Sequence, residues 1–384
     1  MTPKQRVKMA LDHQEPDRVP HGEFATDYSV IQEALGRPVF WRGKRHYYEA
    51  LWDGRRDEVV EAMKRDIVEF TLALGVDMVP ISAVPHKDFP FQRPLAVADD
   101  VWQDERGNLI KFSQATEDIG LLKAGEVVSS SSDFELPEEY DDSELELARY
   151  VVEKLGRTHF IFVRPGRFRG LGYTSGWPAQ MFLEVADHPE QVAARELAQA
   201  EQLHRSIRPF AQLGIDGVAL GHDYGYNSGP FVSPATFGRV YRPAMKMRCD
   251  VVHDFDLPCL YHSCGNNRLI LDQMVAAGMD AYQAIQSVEQ IQEVKKLHGN
   301  RLTLWGGIST DTLQRGTPGQ VAEQALFSIK NCAPGGGFIL SSSHSVVVRT
   351  PLANYRAIPE ACRTRGLYPI AIDHEVREPA WGPA

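Results

Sequence analysis

The stretch Leu257-Pro258-Cys259-Leu260-Tyr261-His262-Ser263-Cys264-Gly265-Asn266-Asn267 decides how this chain reads. An apolar run enters a short polar turn. An amphipathic segment with Leu269, Ile270, Met274 and Val275 follows and is closed by Gly278. That pattern is strand, turn and helix. The turn carries an imidazole and a thiol two residues apart. In a strand leaving its sheet, residues i and i+2 point to the same side. His262 and Cys264 can therefore grip one ion together, and nitrogen and sulfur donors suit zinc. A pair is half of a tetrahedral site, so other segments must supply the rest. The plain alternative is a small buried cysteine beside a hydrogen-bonded core histidine.

The same unit recurs outward from this stretch. On its N-terminal side, a helix near 143–155 precedes the strand His159–Arg164. A long helix opened by Asp187-His188-Pro189-Glu190 precedes Ile215–Leu220, and Ser233-Pro234 opens another helix. On its C-terminal side come Asp280–Ile285, then Arg301–Trp305 ending in Gly306-Gly307. Thr317-Pro318-Gly319-Gln320 has the form of a capped helix start before Gly337–Leu340, and Thr350-Pro351 starts the last helix. Near the N-terminus, Thr2-Pro3-Lys4-Gln5 caps a helix to about His13. Val19–Phe24 reads as a first strand with Glu23 and Asp27 at its exit. A helix over about 54–74 leads to Val76–Ile81.

Eight strands alternating with helices mean a parallel sheet closed into an α/β (β/α)8 TIM barrel. No G-x-G-x-x-G follows the first strand, which argues against a dinucleotide-binding doubly wound sheet. Residues 84–141 break the rhythm. Trp102–Phe112 looks like a hairpin around Gly107-Asn108, and Ser129–Ser132 like a polar loop. The chain thus reads as one barrel over 1–384, with 84–141 inserted after strand two and capping the face where the strands end.

Composition narrows the function. The 384 residues carry a net charge of −10 with no basic tract, which argues against a nucleic-acid partner. No apolar run is long enough to span a bilayer, and Met1-Thr2-Pro3-Lys4 lacks a secretion signal's apolar core. Five scattered cysteines do not make a disulfide framework. A reducing cytoplasm fits and leaves Cys264 as a free thiol.

In an α/β barrel the active site lies at the C-terminal ends of the strands. Here those ends carry Glu23, Ser82, Arg164, His222-Asp223, His262-Cys264, Gln283 with Gln286, Gly306-Gly307 and Ser343-His344. His344 emerges at the same rim as His262 and Cys264, so those three are the expected zinc ligands. The fourth position falls to Asp223, Glu23, water or substrate. His344 as a hydrogen-bonding residue to substrate is the alternative. Asp223, His222 and Glu23 are the candidate acid–base groups. Arg164, with Arg167 and Arg169 around Pro165-Gly166, is placed to hold a carboxylate or phosphate, or is a solvated basic loop. Tyr224, Tyr226 and Trp177 offer aromatic walls, and Gln283 is a further candidate contact to substrate.

These residues resemble the uroporphyrinogen decarboxylase superfamily, and within it the corrinoid-dependent methyltransferase branch. The resemblance rests on Glu15-Pro16-Asp17-Arg18-Val19-Pro20, on the Asp104-Glu105-x-Gly107 hairpin, and on Gly221-x-Asp223 with Ser228-Gly229-Pro230 and Ser233-Pro234. It continues through His262-x-Cys264-Gly265, Ala276–Ala281, Leu304-Trp305-Gly306-Gly307-Ile308 and Thr350–Asn354, in order along almost the whole chain. The decarboxylase itself carries an R-Q-A-G-R segment after its first strand. Here Phe24-Ala25-Thr26-Asp27-Tyr28 has no arginine. The methyltransferase branch uses H-x-C…C. This chain keeps His262 and Cys264 and places His344 where the last cysteine falls. The resemblance implies methyl transfer from a methylated small molecule, preferably an aromatic methyl ether, to the Co(I) of a separate corrinoid protein. It implies zinc at the site. Tetrapyrrole-type decarboxylation and methyl transfer from methyl-corrinoid to a small acceptor are the alternatives. A homodimer is compatible with the sequence, which does not fix the oligomeric state.

Overall fold

The computed structural model describes residues 1–125, 139–168, 179–372 and 374–381. Seven strands lie side by side in the order in which the chain makes them. They are Met78–Ile81, Phe160–Val163, Gly217–Gly221, Cys259–His262, Ala281–Ile285, Thr303–Ile308 and Phe338–Ser342. Every pairing between them is parallel. Parallel strands joined by helices are covered on both faces, and those of Phe160–Val163 and Cys259–His262 are buried throughout. The sheet curls on itself. Met78, Phe162, Ala219, Leu260, Trp305 and Ile339 from its inner face meet in one cluster. The expected TIM-barrel-like α/β fold is present as this curled sheet.

The first expected strand differs. Residues 19–26 form no regular strand, only isolated bridges of His21 to Leu340 and Thr26 to Val346. They nevertheless occupy the gap between the outermost strands. Leu340 N–H donates to the Pro20 carbonyl (3.0 Å) on one side, and Asp77 N–H to the His21 carbonyl (2.8 Å) on the other. Pro20 has no N–H to give a ladder, which accounts for the irregularity. Gly22 passes so close to the neighbouring strand that a Cβ there would lie 2.5 Å from Met78 Cβ. The buried Trp305 indole N–H fastens the segment by donating to the Gly22 carbonyl (2.6 Å).

The helix Pro3–Leu11 starts with the expected capping box between Thr2 and Gln5. It closes the lower end of the curled sheet. Val7 and Ala10 join the inner cluster, and Arg6 pairs with the buried Asp77 (2.6 Å). The helix expected after His188 is divided into Pro189–Glu201 and Leu203–Leu213. The helix Pro318–Cys332 has the expected box between Thr317 and Gln320.

The hairpin around Gly107 is part of a larger unit. Leu95–Ala98, Val101–Gln103, Leu109–Ser113 and Asp118–Lys123 make a four-stranded antiparallel sheet. Trp102, Ile110 and Ile119 pack it on Trp52 of the helix Arg45–Trp52. Arg349 also reaches it through Glu117 (2.8 Å). Ser129–Ser132, Arg169 and Trp177 lie outside the described residues.

Glu23 is 3% exposed and sits under the last strand. It accepts from Ser341 Oγ (2.8 Å), Ser342 Oγ (2.5 Å) and Ser342 N–H (3.1 Å). Burial pushes its carboxyl from 4.5 up to about 7, against those hydrogen bonds. A folded-state value above the unfolded one means stability that is complete below about 4.5 and lost as pH rises through about 7. The wild type should therefore lose up to ~3 kcal/mol relative to Glu23→Gln across that window. Urea unfolding at a series of pH values reads this, and a pH-independent difference refutes it. Trp305→Phe should cost about 2–4 kcal/mol, because it leaves the Gly22 carbonyl buried without its donor and opens a void. Denaturant midpoints check that figure, and a change under ~1 kcal/mol would show the clamp to be idle.

Candidate functional site

The strand ends open into a cavity of about 1050 Å3, and Phe24, Arg164, His222, Asp223, His262 and His344 are on its wall. His262 is the last residue of its strand and is 9% exposed. Its register places it between Gly221 and Gln283. Its Nδ1 hydrogen-bonds the Gln283 side-chain oxygen. That bond leaves Nε2 facing Cys264 Sγ (3.4 Å) and Asp223 Oδ1 (3.6 Å). The His344 ring meets the His262 ring edge-on at 5.5 Å. Ligand atoms of His262, Cys264 and His344 all lie within 4.8 Å of one another, and among the described residues these three form the group able to share one ion.

The turn that presents Cys264 is built from buried and half-buried hydrogen bonds. Cys264 N–H donates to Asp223 Oδ1 (2.8 Å), and Tyr224 N–H donates to Ser263 Oγ (3.1 Å). The Asn267 amide donates to the Cys264 carbonyl (3.0 Å), and Asn267 N–H to Glu289 Oε1 (3.0 Å). Tyr282 OH donates to the same Glu289 oxygen (3.0 Å). Burial raises the Glu289 carboxyl to about 8. Gly265 makes the turn possible. It has φ +91°, and a Cβ there would stand 2.2 Å from the Gly225 backbone.

The electrostatics suit a cation. Burial, with repulsion from His344 and Arg164, holds His262 down at about 4 against Gln283 and Asp223. Burial also lowers His344. Both rings are then neutral at ordinary pH, the form that ligates. Burial and the adjacent Asp223 carboxylate push the Cys264 thiol well above its usual range. A divalent ion between those groups would reverse that push and stabilise the thiolate. A tetrahedral zinc ion with bonds of ~2.0–2.3 Å needs donors about as far apart as these. The residues present therefore fit zinc.

The remaining expected residues divide. Asp223 and His222 join the cavity, and His222 stacks on Tyr224 at 4.7 Å. Arg164 joins it too, its guanidinium 4.6 Å from the Phe24 ring centre. Glu23 does not reach it, because the alternation of the chain turns Glu23 toward Ser341 and Ser342 while Phe24 faces inward. Tyr224 is also no cavity wall. It is 1% exposed and its hydroxyl pairs with that of Tyr261 (3.1 Å) in the outer core. Gln283 is fully buried and touches His262 instead of the cavity. Tyr226 stands 54% exposed on the short hairpin beyond His222. Phe24 was missed. It stacks on His262 at 4.5 Å and 19°, and only its place one residue beyond Glu23 in a period-two segment could have signalled this.

Residues 186–365 match the family model described as uroporphyrinogen decarboxylase (URO-D). No curated protein matches the chain. A solved methyltransferase from Methanosarcina mazei is similar at 16% identity and a TM-score of 0.57, covering 94% of this chain and 98% of that one. An exo-β-1,4-mannosidase from Opitutaceae bacterium strain TAV5 is a more distant likeness, at 14% identity and a TM-score of 0.37, covering 83% of this chain and 48% of that one. Among the described residues no helix is long and apolar enough to cross a membrane. The family expected from the sequence is thus the one whose model matches residues 186–365, and the fold is similar to that of the M. mazei methyltransferase.

Proposed function

We propose that this protein is a methyltransferase that moves a methyl group from a methylated small molecule, preferably an aromatic methyl ether, to the Co(I) of a separate corrinoid protein in the cytoplasm. The observation that carries this reading is the convergence of His262, Cys264 and His344 beside one cavity. A methyl ether gives up its methyl only if the departing oxygen is stabilised as it takes the electron pair of the C–O bond. His262 Nε2, Cys264 Sγ and a His344 ring nitrogen would hold zinc, which when bound supplies Lewis acidity toward that oxygen. Gln283 fixes the His262 ring, and Asp223 fixes the Cys264 backbone. Asp223 and His222 line the same cavity and would relay a proton from solvent to the oxygen once the methyl has gone. The Phe24 ring, stacked on His262 at the cavity wall, makes that part of the wall apolar. Likeness to a methyltransferase fold agrees with this reading but does not choose the donor.

A decarboxylase of a carboxylated substrate is the second reading, favoured by the family match over residues 186–365. The absence of arginine from Phe24–Tyr28 weighs against a tetrapyrrole polycarboxylate.

Mixing the protein with a Co(I) corrinoid protein and a panel of methoxylated aromatics should bleach the Co(I) absorbance with at least one donor. Persistent Co(I) with every donor defeats the reading, and carbon dioxide released without corrinoid supports the second. After metal-replete purification about one zinc per chain is expected, and Cys264→Ala should lose it. Gln283→Leu should weaken zinc by on the order of 10- to 100-fold, since the His262 ring loses its orienting partner. Metal content that is near zero in the wild type, or unchanged in Cys264→Ala, ends the metal proposal.

A further inference from the structure

Glu23 lies behind the cavity wall, yet one hydroxyl connects it to the site. Ser342 Oγ stands between two oxygens, Glu23 Oε2 (2.5 Å) and the His344 carbonyl. A serine hydroxyl has one proton. With Glu23 ionised, that proton serves one of the two oxygens, and the other lies against Ser342 Oγ with no proton between them. With Glu23 protonated, both contacts are made. The carboxyl O–H donates to Ser342 Oγ, and the Ser342 O–H donates to the His344 carbonyl. The other bonds to the carboxyl survive the change, because Ser341 Oγ still donates to Oε2 (2.8 Å) and Ser342 N–H to Oε1 (3.1 Å). The count of protons therefore selects the neutral acid for this arrangement.

The groups around the carboxyl agree. Glu23 is 3% exposed, and no described cation pairs with it. The last strand offers it serines. From the helix Leu352–Thr364, the titratable group facing it is the buried Tyr355 hydroxyl, which burial keeps protonated. On its own segment, His21 packs edge-on against the Tyr355 ring at 5.7 Å, and burial keeps that imidazole neutral. A carboxylate here has hydrogen bonds alone to offset its desolvation. Ser343 is held separately, its N–H donating to the Ile308 carbonyl (2.6 Å) and its Oγ accepting from Thr310 N–H (3.2 Å). The Ser342 hydroxyl is the described donor to the His344 carbonyl, and the His344 ring meets that of His262 at 5.5 Å.

We propose that Glu23 is a positioning residue for His344, acting through Ser342 as a proton-operated latch. As the neutral acid it frees the Ser342 proton to hold the His344 carbonyl, which fixes the ring beside His262 and Cys264. On ionisation the carboxyl proton leaves to solvent, the Ser342 proton turns to the carboxylate, and the His344 carbonyl loses its donor. Placement of the His344 ring thus follows the protonation of a group outside the cavity. The proposal rests on the donor-set reading above in taking that ring as a metal ligand.

NMR of the histidine ring nitrogens in the metal-free full chain tests the latch without metal or methyl transfer. The His344 signals should show a step near pH 7, where Glu23 titrates, apart from the ring's own protonation, which burial holds lower. Glu23→Gln should abolish that step, because its amide N–H2 donates to Ser342 Oγ at every pH. Ser342→Ala should abolish it by removing the link. Ser341→Ala, which takes a partner from Glu23 without touching His344, should keep it. No step in the wild type, a step that survives Glu23→Gln or Ser342→Ala, or one lost in Ser341→Ala overturns the latch. Zinc affinity gives the second readout. Glu23→Gln and the wild type should match at about pH 6, and the variant should bind about 10-fold more tightly at about pH 8.5. A ratio that stays the same at both pH values overturns the effect on the donor set. Failure of the two readings is separable. The His344 step in a chain that binds no zinc would sink only the donor-set reading. Zinc bound through His344 with no such step would sink only the latch.

Discussion

The parallel sheet is completed by a segment that is not a strand, and everything at the mouth depends on that closure. Residues 19–26 take hydrogen bonds from Leu340 on one side and Asp77 on the other, and the Trp305 indole holds them at Gly22. With the gap filled, the inner face becomes a dry core and the strand ends converge. The same segment delivers Phe24 between the His262 ring and the Arg164 guanidinium. One stretch therefore closes the ring and furnishes a wall of the cavity. Its irregularity follows from Pro20 and from the absence of a Cβ at Gly22, which let it approach Met78 where a regular residue would collide.

Buried polar groups supply the second constraint. His262, Gln283, Asn267, Tyr282 and Glu289 are withdrawn from water, and each has a hydrogen-bond partner within the His262–Asn267 turn or its supports. Inside a low-dielectric interior such bonds are strong, and breaking one strands a partner at a cost of about 1–3 kcal/mol. The turn is rigid for that reason. Rigidity matters because a donor set displaced by a fraction of an ångström no longer matches a metal's bond lengths. The Glu23 carboxyl does comparable work on the last strand, tying Ser341 and Ser342 just before His344 leaves it.

The legible parts of the sequence were those with local causes. Thr2 with Gln5, and Thr317 with Gln320, announced their helices because capping satisfies N–H groups within one turn. The apolar runs at Phe160 and Cys259 announced buried parallel strands, and Gly107 a hairpin. The spacing of His262 and Cys264 pointed both to one place because their separation matches the strand's period. Sequence reasoning failed where the deciding neighbour is distant. Glu23, Tyr224 and Gln283 are polar or aromatic residues at strand ends, the pattern expected of substrate contacts. Glu23 instead meets serines more than three hundred residues away. Tyr224 meets Tyr261, and Gln283 meets His262. Each is turned from the cavity by side-chain alternation that cannot be read until the strand's register is known.

The sequence by itself determined the alternation of strands and helices, hence a curled parallel sheet, and it determined which rim would carry histidine and thiol. Those properties follow from periodicity and from capping, which act over a few residues. Only the tertiary structure decided that His344 meets His262 across the ring, that Phe24 joins His262 to Arg164, and that Arg164 meets no carboxylate among the described residues. Such facts depend on register, on closure by residues 19–26 and on which charges find partners, all of which are set by contacts between segments far apart in the chain.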